Sequence, residues 1–157
     1  MERKMIFDKF KINKLQGKGI FNFSKNEENA FLFDFNTNTK IIFGSDDRIC
    51  DISLDGDYVI ITSKKMIADT RKRMLKIFNV KTQELVYETK NFLAYEALFS
   101  PLPNLIICRA DIKNNTKSFI FDINTSEIVY AFPHHTHREN TRACDIIFPN
   151  GLYLTFL

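Results

Sequence analysis

Short apolar runs alternate with short polar stretches along the chain, and each apolar run has the length of a β-strand. The segment Phe119–Tyr130 shows this pattern well, because a polar stretch at 124–126 separates two apolar runs. Asn and Ser side chains favour tight turns, so the segment predicts a strand–turn–strand hairpin. Phe33–Thr37 and Phe78–Thr82 begin in the same way, and the sequence therefore predicts three such hairpins.

The hairpins belong to a longer repeat. Three phenylalanines at equivalent positions are 45 and 43 residues apart: Phe33, Phe78 and Phe121. A second segment recurs in step with them: Ile49–Leu54, Ala94–Phe99 and Ala143–Phe148. This alignment gives one acidic residue in each copy: Asp51, Glu96 and Asp145. A unit of four short strands every ~40–45 residues is the period of a β-propeller blade.

The repeat resembles WD40-type repeats. In that family the third strand of a blade commonly ends in Trp-Asp, and three dipeptides stand in that place: Phe33-Asp34, Phe78-Asn79 and Phe121-Asp122. The Pro-Asp-Gly-like turn of the family is matched by Leu54-Asp55-Gly56 and by Phe148–Gly151. The chain departs from the family in having no Trp and no Gly-His pair before a first strand. The resemblance covers most of residues 30–157 and implies a propeller that presents its surface to protein partners.

We therefore predict an all-β fold of antiparallel four-stranded blades, a WD40-like β-propeller that is incomplete, in one domain of residues 1–157. The approximate blades are 1–43, 44–88 and 89–132, with a half-blade at 133–157. Because closed propellers have typically 4–8 blades, we expect a fragment of a longer propeller or a ring closed by a partner. A compact β-sandwich is the alternative, since repeated hairpins bury their apolar faces in several ways.

Composition narrows the classes of function. Hydrophobic residues make up 45% of the chain, enough for a packed core. No apolar run approaches the ~18 residues of a membrane span, so we expect no membrane partner and a cytoplasmic or nuclear location. The three cysteines form no Cys-x-x-Cys pair, which predicts buried, reduced thiols and no metal or other cofactor. The net charge of +3 is mild for a dedicated nucleic-acid binder.

Two polar segments are candidate interaction surfaces. The first is a basic connection between predicted strands: Lys64, Lys65, Arg71, Lys72 and Arg73. Such a patch suits phosphate contacts, although it lacks interleaved aromatic residues for base stacking. The second is a polar loop: His134, His135, His137 and Arg138. Neutral imidazoles are common metal ligands, but no cysteine or carboxylate stands at a ligand-like spacing except Glu139, and a solvated loop is the favoured interpretation over a metal site.

Three functional hypotheses follow from these patterns. The first is a non-catalytic protein–protein interaction scaffold, with self-association or pairing at an open blade edge as one form of partnership. The second is a component of an RNA-handling or ribonucleoprotein assembly that uses the basic patches. The third is a propeller-type enzyme in which Asp51, Glu96 and Asp145 line a central channel. The sequence has no Gly-x-Ser-x-Gly, P-loop or His-Glu-x-x-His motif, which favours the non-catalytic hypotheses.

Overall fold

The structure is a computed structural model, and it describes residues 7–13, 17–23, 29–67, 70–89, 92–112, 115–131, 144–147 and 153–156. Within these ranges the regular structure consists of β-strands, and no helix there is long and apolar enough to cross a membrane. The strands in chain order are β1 (Phe7–Asn13), β2 (Lys18–Phe23), β3 (Phe31–Asp34), β4 (Thr39–Ile42), β5 (Asp47–Ile52), β6 (Tyr58–Ile67), β7 (Thr70–Asn79), β8 (Leu85–Glu88), β9 (Leu93–Phe99), β10 (Leu105–Ile112), β11 (Asn115–Asp122), β12 (Glu127–Ala131), β13 (Cys144–Ile147) and β14 (Tyr153–Phe156).

Consecutive strands pair antiparallel and form separate sheets along the chain. Sheet I contains β1–β4, sheet II contains β5–β8, sheet III contains β9–β12, and sheet IV is the pair of β13 and β14. Within each four-stranded sheet the spatial order is the chain order, so the first strand of the sheet forms one edge. The predicted all-β class with antiparallel sheets is confirmed, and the described strands do not close into a ring.

Sheet II is buried on both faces, because it lies between sheets I and III. On β6, Val59 and Ile61 belong to a core that they share with Ile20 and Leu32 of sheet I. The intervening Ile60 belongs to a second core, which is shared with sheet III. Successive residues of a strand point to opposite faces, so an uninterrupted apolar run fills both cores. The first residues of β6 are therefore all apolar because they face both cores.

Aromatic rings fill the core between sheets II and III. Phe92 lies edge-to-face against Phe119 and Phe121, and the ring centroids are 5.1 Å apart in both pairs. Leu75 and Ile77 of β7 complete this core from sheet II. Edge-to-face pairs contribute about 0.5–1.5 kcal/mol each beyond the burial of their surface. The Tyr87 ring on β8 contacts Phe121 across the two sheets, with ring centroids 6.1 Å apart, so this aromatic cluster joins sheet III to sheet II.

A capped turn follows the third strand of each four-stranded sheet. The capping residues end β3, β7 and β11: Asp34, Asn79 and Asp122. The Oδ1 atom of each accepts hydrogen bonds from the backbone N–H groups two and three residues later. Each of these turns also contains a residue with positive φ: Asn38, Gln83 and Ser126. The three predicted hairpins are thus confirmed as β3–β4, β7–β8 and β11–β12.

The predicted alignment of the first strands is wrong by two residues. The paired residues lead across sheet II from Phe78 of β7 to Ile52 of β5. In the same way they lead across sheet III from Phe121 of β11 to Phe99 of β9. Asp51 precedes Ile52 directly, whereas Glu96 stands three residues before Phe99, so the two acidic residues are not equivalent. Side chains of a strand alternate with period two, and a slip of two residues preserves the apolar pattern. The sequence pattern alone could not detect this error.

Candidate interaction surfaces

The basic segment consists of two paired strand ends at residues 64–67 and 70–73, and the prediction of a connecting loop for these residues is wrong. β5 pairs with β6 only as far as Ser63, and β8 pairs with β7 only from Lys76 onwards. Beyond these points β6 and β7 continue to pair with each other up to their ends at residues 67 and 70. We call the paired residues 64–67 and 70–73 the basic ribbon.

The register of the basic ribbon places cations opposite one another. Lys64 pairs with Arg73, Lys65 pairs with Lys72, and Arg71 pairs with Met66. Like charges directly opposite each other on paired strands are destabilising. The backbone register therefore places the five basic residues that the sequence singled out on three consecutive rungs.

Arg73 stands at the base of the basic ribbon, where its side chain is partly buried. Its Nη1 atom donates a hydrogen bond to Thr62 Oγ1 over 3.3 Å. Burial lowers the pKa of Arg73, and the positive charge of nearby Arg48 lowers it further. In the part of the chain that the structure describes, no carboxylate forms an ion pair with Arg73. The base of the ribbon is thus a partly desolvated site of positive charge.

The histidine loop lies outside the described residues. This applies to all four of its candidate residues: His134, His135, His137 and Arg138. Within the described ranges no group of three or more His, Cys, Asp or Glu side chains has the arrangement of a metal site. The interpretation of the loop as a solvated interaction surface stays a prediction.

The acidic residues proposed for a channel have different surroundings. Asp51 is 7% exposed, and its Oδ2 atom accepts a hydrogen bond from the backbone N–H of Phe99 over 3.0 Å. This bond joins the first strand of sheet II to the first strand of sheet III. Glu96 has a buried Oε2 atom without a hydrogen-bond partner among the described residues. Asp145 lies on β13 opposite Thr155, and its side chain is outside the described part. The enzyme hypothesis stays a prediction, and the contact of Asp51 gives that residue a structural role.

Two of the cysteines are free thiols between sheets II and III. Burial raises the pKa of Cys50, while a hydrogen bond with Thr62 partly opposes the rise. Burial also raises the pKa of Cys108 well above its ordinary value. Both groups are therefore neutral thiols at physiological pH and act as small apolar side chains, since the thiolate is the reactive form.

An apolar groove of about 680 Å³ runs between sheets II and III at the end where their first strands turn. We call it the turn groove. Its walls are the β5–β6 turn at 53–57, the β9–β10 turn at 100–104 and part of β8. Three of its lining side chains are more than half exposed: Leu54 at 68%, Leu102 at 62% and Val86 at 53%. The repeat pattern of the sequence does not predict this groove, although the apolar residues Leu54 and Leu102 inside two turn sequences are a signal for it.

Backbone hydrogen bonds fix both turns that form the groove. In the first turn, Ser53 N–H bonds to Tyr58 O over 2.9 Å, and Gly56 adopts a φ of 77° that favours glycine. In the second turn, Ser100 N–H bonds to Leu105 O over 3.0 Å. Each turn is also tied to the capped turn of its own sheet: Val80 N–H bonds to Asp57 O, and Ile123 N–H bonds to Asn104 O. The walls of the groove are therefore preorganised.

A negative charge stands in one wall of the turn groove. Asp55 Oδ1 accepts hydrogen bonds from the Ser53 hydroxyl and from the backbone N–H of Asp57. These two bonds lower the pKa of Asp55 below its ordinary value, with the bond from Ser53 contributing most. The carboxyl group is exposed and ionised near neutral pH. The groove therefore combines an apolar floor with one anionic position.

Comparison with known proteins gives evidence about the fold of the chain. No protein-family model and no curated protein sequence matches the chain. The chain is similar to the solved structure of Kuenenia stuttgartiensis hydrazine synthase, with a TM-score of 0.51, 15% identity, and coverage of 86% of this chain and 38% of that one. It is also similar to Pyrococcus horikoshii acylaminoacyl peptidase, with a TM-score of 0.51, 12% identity, and coverage of 82% of this chain and 24% of that one.

These likenesses concern the fold alone, because the sequences are so different. The solved structures to which the chain is similar include propeller-containing proteins, and the chain itself is an all-β arrangement of antiparallel sheets. The chain spans less than two fifths of the length of either structure.

Proposed function

We propose that sheets I–IV are consecutive blades of an incomplete WD40-like propeller, and that this propeller is a non-catalytic scaffold for protein partners. Three observations support the blades. The sheets follow one another in chain order, and sheet II is buried against both neighbours. Each third strand ends in Asp or Asn, where WD40 repeats have their Asp. The chain is also similar in fold to propeller-containing structures.

The turn groove carries the proposal of protein binding. Exposed apolar surface bordered by polar residues is typical of interaction sites on soluble proteins. Leu54, Val86 and Leu102 stand on three separate elements, so a partner must reach across two sheets to cover all of them. The preorganised walls reduce the entropy lost on binding. An extended segment of a partner protein fits these requirements.

The charge in the groove defines the partner segment further. Asp55 is ionised and stands beside the exposed apolar side chains. A partner segment with two or more apolar side chains followed by Lys or Arg would bury the former against Leu54 and Leu102. It would also place the cation near Asp55. Complementary charge of this kind contributes chiefly to specificity and to the rate of association.

Peptide selection tests this proposal. Peptides from a random displayed library are selected on the wild-type chain and then measured against Leu54→Glu/Leu102→Glu by fluorescence anisotropy. We expect apolar peptides with a basic residue, a loss of at least about tenfold in affinity for this variant, and a several-fold loss for Asp55→Asn. Leu85→Glu is the matched control, because Leu85 is 49% exposed on β8 but does not line the groove. Peptides that bind the groove variant and the wild type equally would refute the proposal.

A further inference from the structure

We propose that the basic ribbon, the paired residues 64–67 and 70–73, binds the phosphate backbone of single-stranded nucleic acid without reading its bases. The inference is independent of the turn groove, which lies at the end of sheet II where β5 turns into β6. It rests on three features: the register of the ribbon, the surroundings of Arg73, and the lack of aromatic residues in this segment.

The register concentrates positive charge on a narrow structure. Paired residues of antiparallel strands have Cβ atoms about 4.5–5.5 Å apart, and successive pairs follow at about 3.3 Å along the strands. The pairs Lys64–Arg73 and Lys65–Lys72 are adjacent, and Arg71 stands in the next pair. Neither β5 nor β8 pairs with this part of the ribbon. Five cations therefore occupy three consecutive rungs; the Lys64 N–H still bonds to Asp46 O at the base of the ribbon, and none of the other described strands pairs with the rungs beyond it.

Arg73 adds a site that favours a phosphate group. A guanidinium has five N–H donors arranged as a fork, and it binds phosphate oxygens in pairs. The Thr62 hydroxyl accepts from Arg73, and no described carboxylate pairs with it. A partly buried charge without an anionic partner is unfavourable, so an incoming phosphate would gain an interaction with Arg73 that the described residues do not supply. Arg48 stands opposite Thr62 on β5 and adds a further positive charge at this point.

The composition of the ribbon indicates a ligand that carries a negative charge on each of its repeating units. No aromatic residue occurs between Thr62 and Ile77, so the ribbon has no platform on which bases could stack. Cations spread over both strands match a chain that carries one negative charge per unit better than a peptide with a few carboxylates. The competing explanation is that lysines protect a strand edge from pairing with other chains, and this explanation predicts no binding.

The experiment measures binding of the full chain to fluorescein-labelled oligouridylate, by anisotropy over a series of salt concentrations. In the test variant Lys64, Lys65 and Lys72 are all replaced by Gln. The matched control replaces three exposed lysines elsewhere by Gln: Lys40, Lys81 and Lys117. We expect the test variant to lose at least tenfold in affinity. Its slope of log K against log salt should fall in magnitude by about two, since each phosphate contact on a single strand contributes about 0.7.

Two further measurements complete the test. Arg73→Lys keeps the charge and removes the fork, so it should weaken binding several-fold with little change in the salt slope. Oligoadenylate and oligocytidylate should bind within a few-fold of oligouridylate. The proposal is overturned if the wild type does not bind, if the control variant loses as much affinity as the test variant, or if polyglutamate binds as tightly as the oligonucleotide. Thermal unfolding of each variant confirms that it is folded.

Discussion

Replacing Asn22 by alanine should weaken the contact between sheets I and II at one defined point. Asn22 Nδ2 donates to Ile49 O over 2.8 Å, and Asn22 Oδ1 accepts from Ile49 N–H over 2.9 Å. β5 is the edge strand of sheet II, and these hydrogen bonds join it to β2 of sheet I. Asn22 is 3% exposed and Ile49 is 2% exposed, so water does not reach the pair in the native state.

The magnitude follows from the two backbone groups that the substitution leaves unsatisfied. A buried donor or acceptor without a partner costs about 1–3 kcal/mol, which gives about 2–6 kcal/mol for the pair. A water molecule that enters the vacated space would restore part of this loss, so we expect a decrease of about 3 kcal/mol in the free energy of unfolding. That is a large share of the about 5–15 kcal/mol that stabilises a typical domain.

Urea unfolding followed by circular dichroism measures this change, since the chain has no Trp to report by fluorescence. Asn124→Ala is the matched control, because Asn124 is exposed in the β11–β12 turn, and it should change stability by less than about 0.5 kcal/mol. Hydrogen exchange supplies a local readout: the Ile49 amide should lose its protection in Asn22→Ala. A loss below about 1 kcal/mol, with the Ile49 amide as protected as in the wild type, would refute the reasoning.

Three further predictions concern the capped turns and the buried thiols. Asp122→Ala should cost about 1 kcal/mol in urea unfolding because it removes the acceptor for two backbone N–H groups, whereas Asp122→Asn should be nearly neutral, as Asn79 serves in the same position. Partial burial raises the pKa of Asp34, but hydrogen bonds from Asn36 and Thr37 and the charge of Lys18 lower it overall. Its contribution to stability is therefore present above the unfolded pKa and lost as the pH falls through the folded value, and Asp34→Asn should show a shallower loss of stability below about pH 4. The raised pKa of Cys108 acts in the opposite range: its contribution is full below about pH 8.5 and declines as the pH rises toward the folded value, so Cys108→Ala should show a shallower alkaline loss than the wild type.

The hairpins could be predicted because their determinants are local. Asp34, Asn79 and Asp122 bond to backbone groups two and three residues away, so the whole turn lies within one short stretch of sequence. The basic ribbon was predicted as a set of residues but not as a structure. Its strands lack apolar alternation, so the usual sequence signal of a strand was missing, and among the described strands neither β5 nor β8 pairs with it.

The turn groove depends on how two sheets meet, and no local pattern defines it. Leu54 and Leu102 come from turns of different sheets, 48 residues apart in the chain. Each alone is a single exposed apolar residue, which is common on protein surfaces. Only the stacking of sheets II and III places them on opposite walls of one groove. The turn groove can therefore be identified from the packed sheets but not from the sequence alone.

Some polar residues at the points where neighbouring sheets meet have a structural role, although the sequence alone suggests a catalytic one. The first strand of a sheet forms an edge, and backbone groups on its open side need partners. Asn22 supplies them for Ile49 of β5, and Asp51 supplies one for Phe99 of β9, over 27 and 48 residues of chain. A buried carboxylate such as Asp51 suggests catalysis when only the sequence is known, because its partner is so distant. In a stack of separate sheets, an acidic residue in a first strand should therefore first be examined for a hydrogen bond to the next sheet. Asp51 forms such a bond.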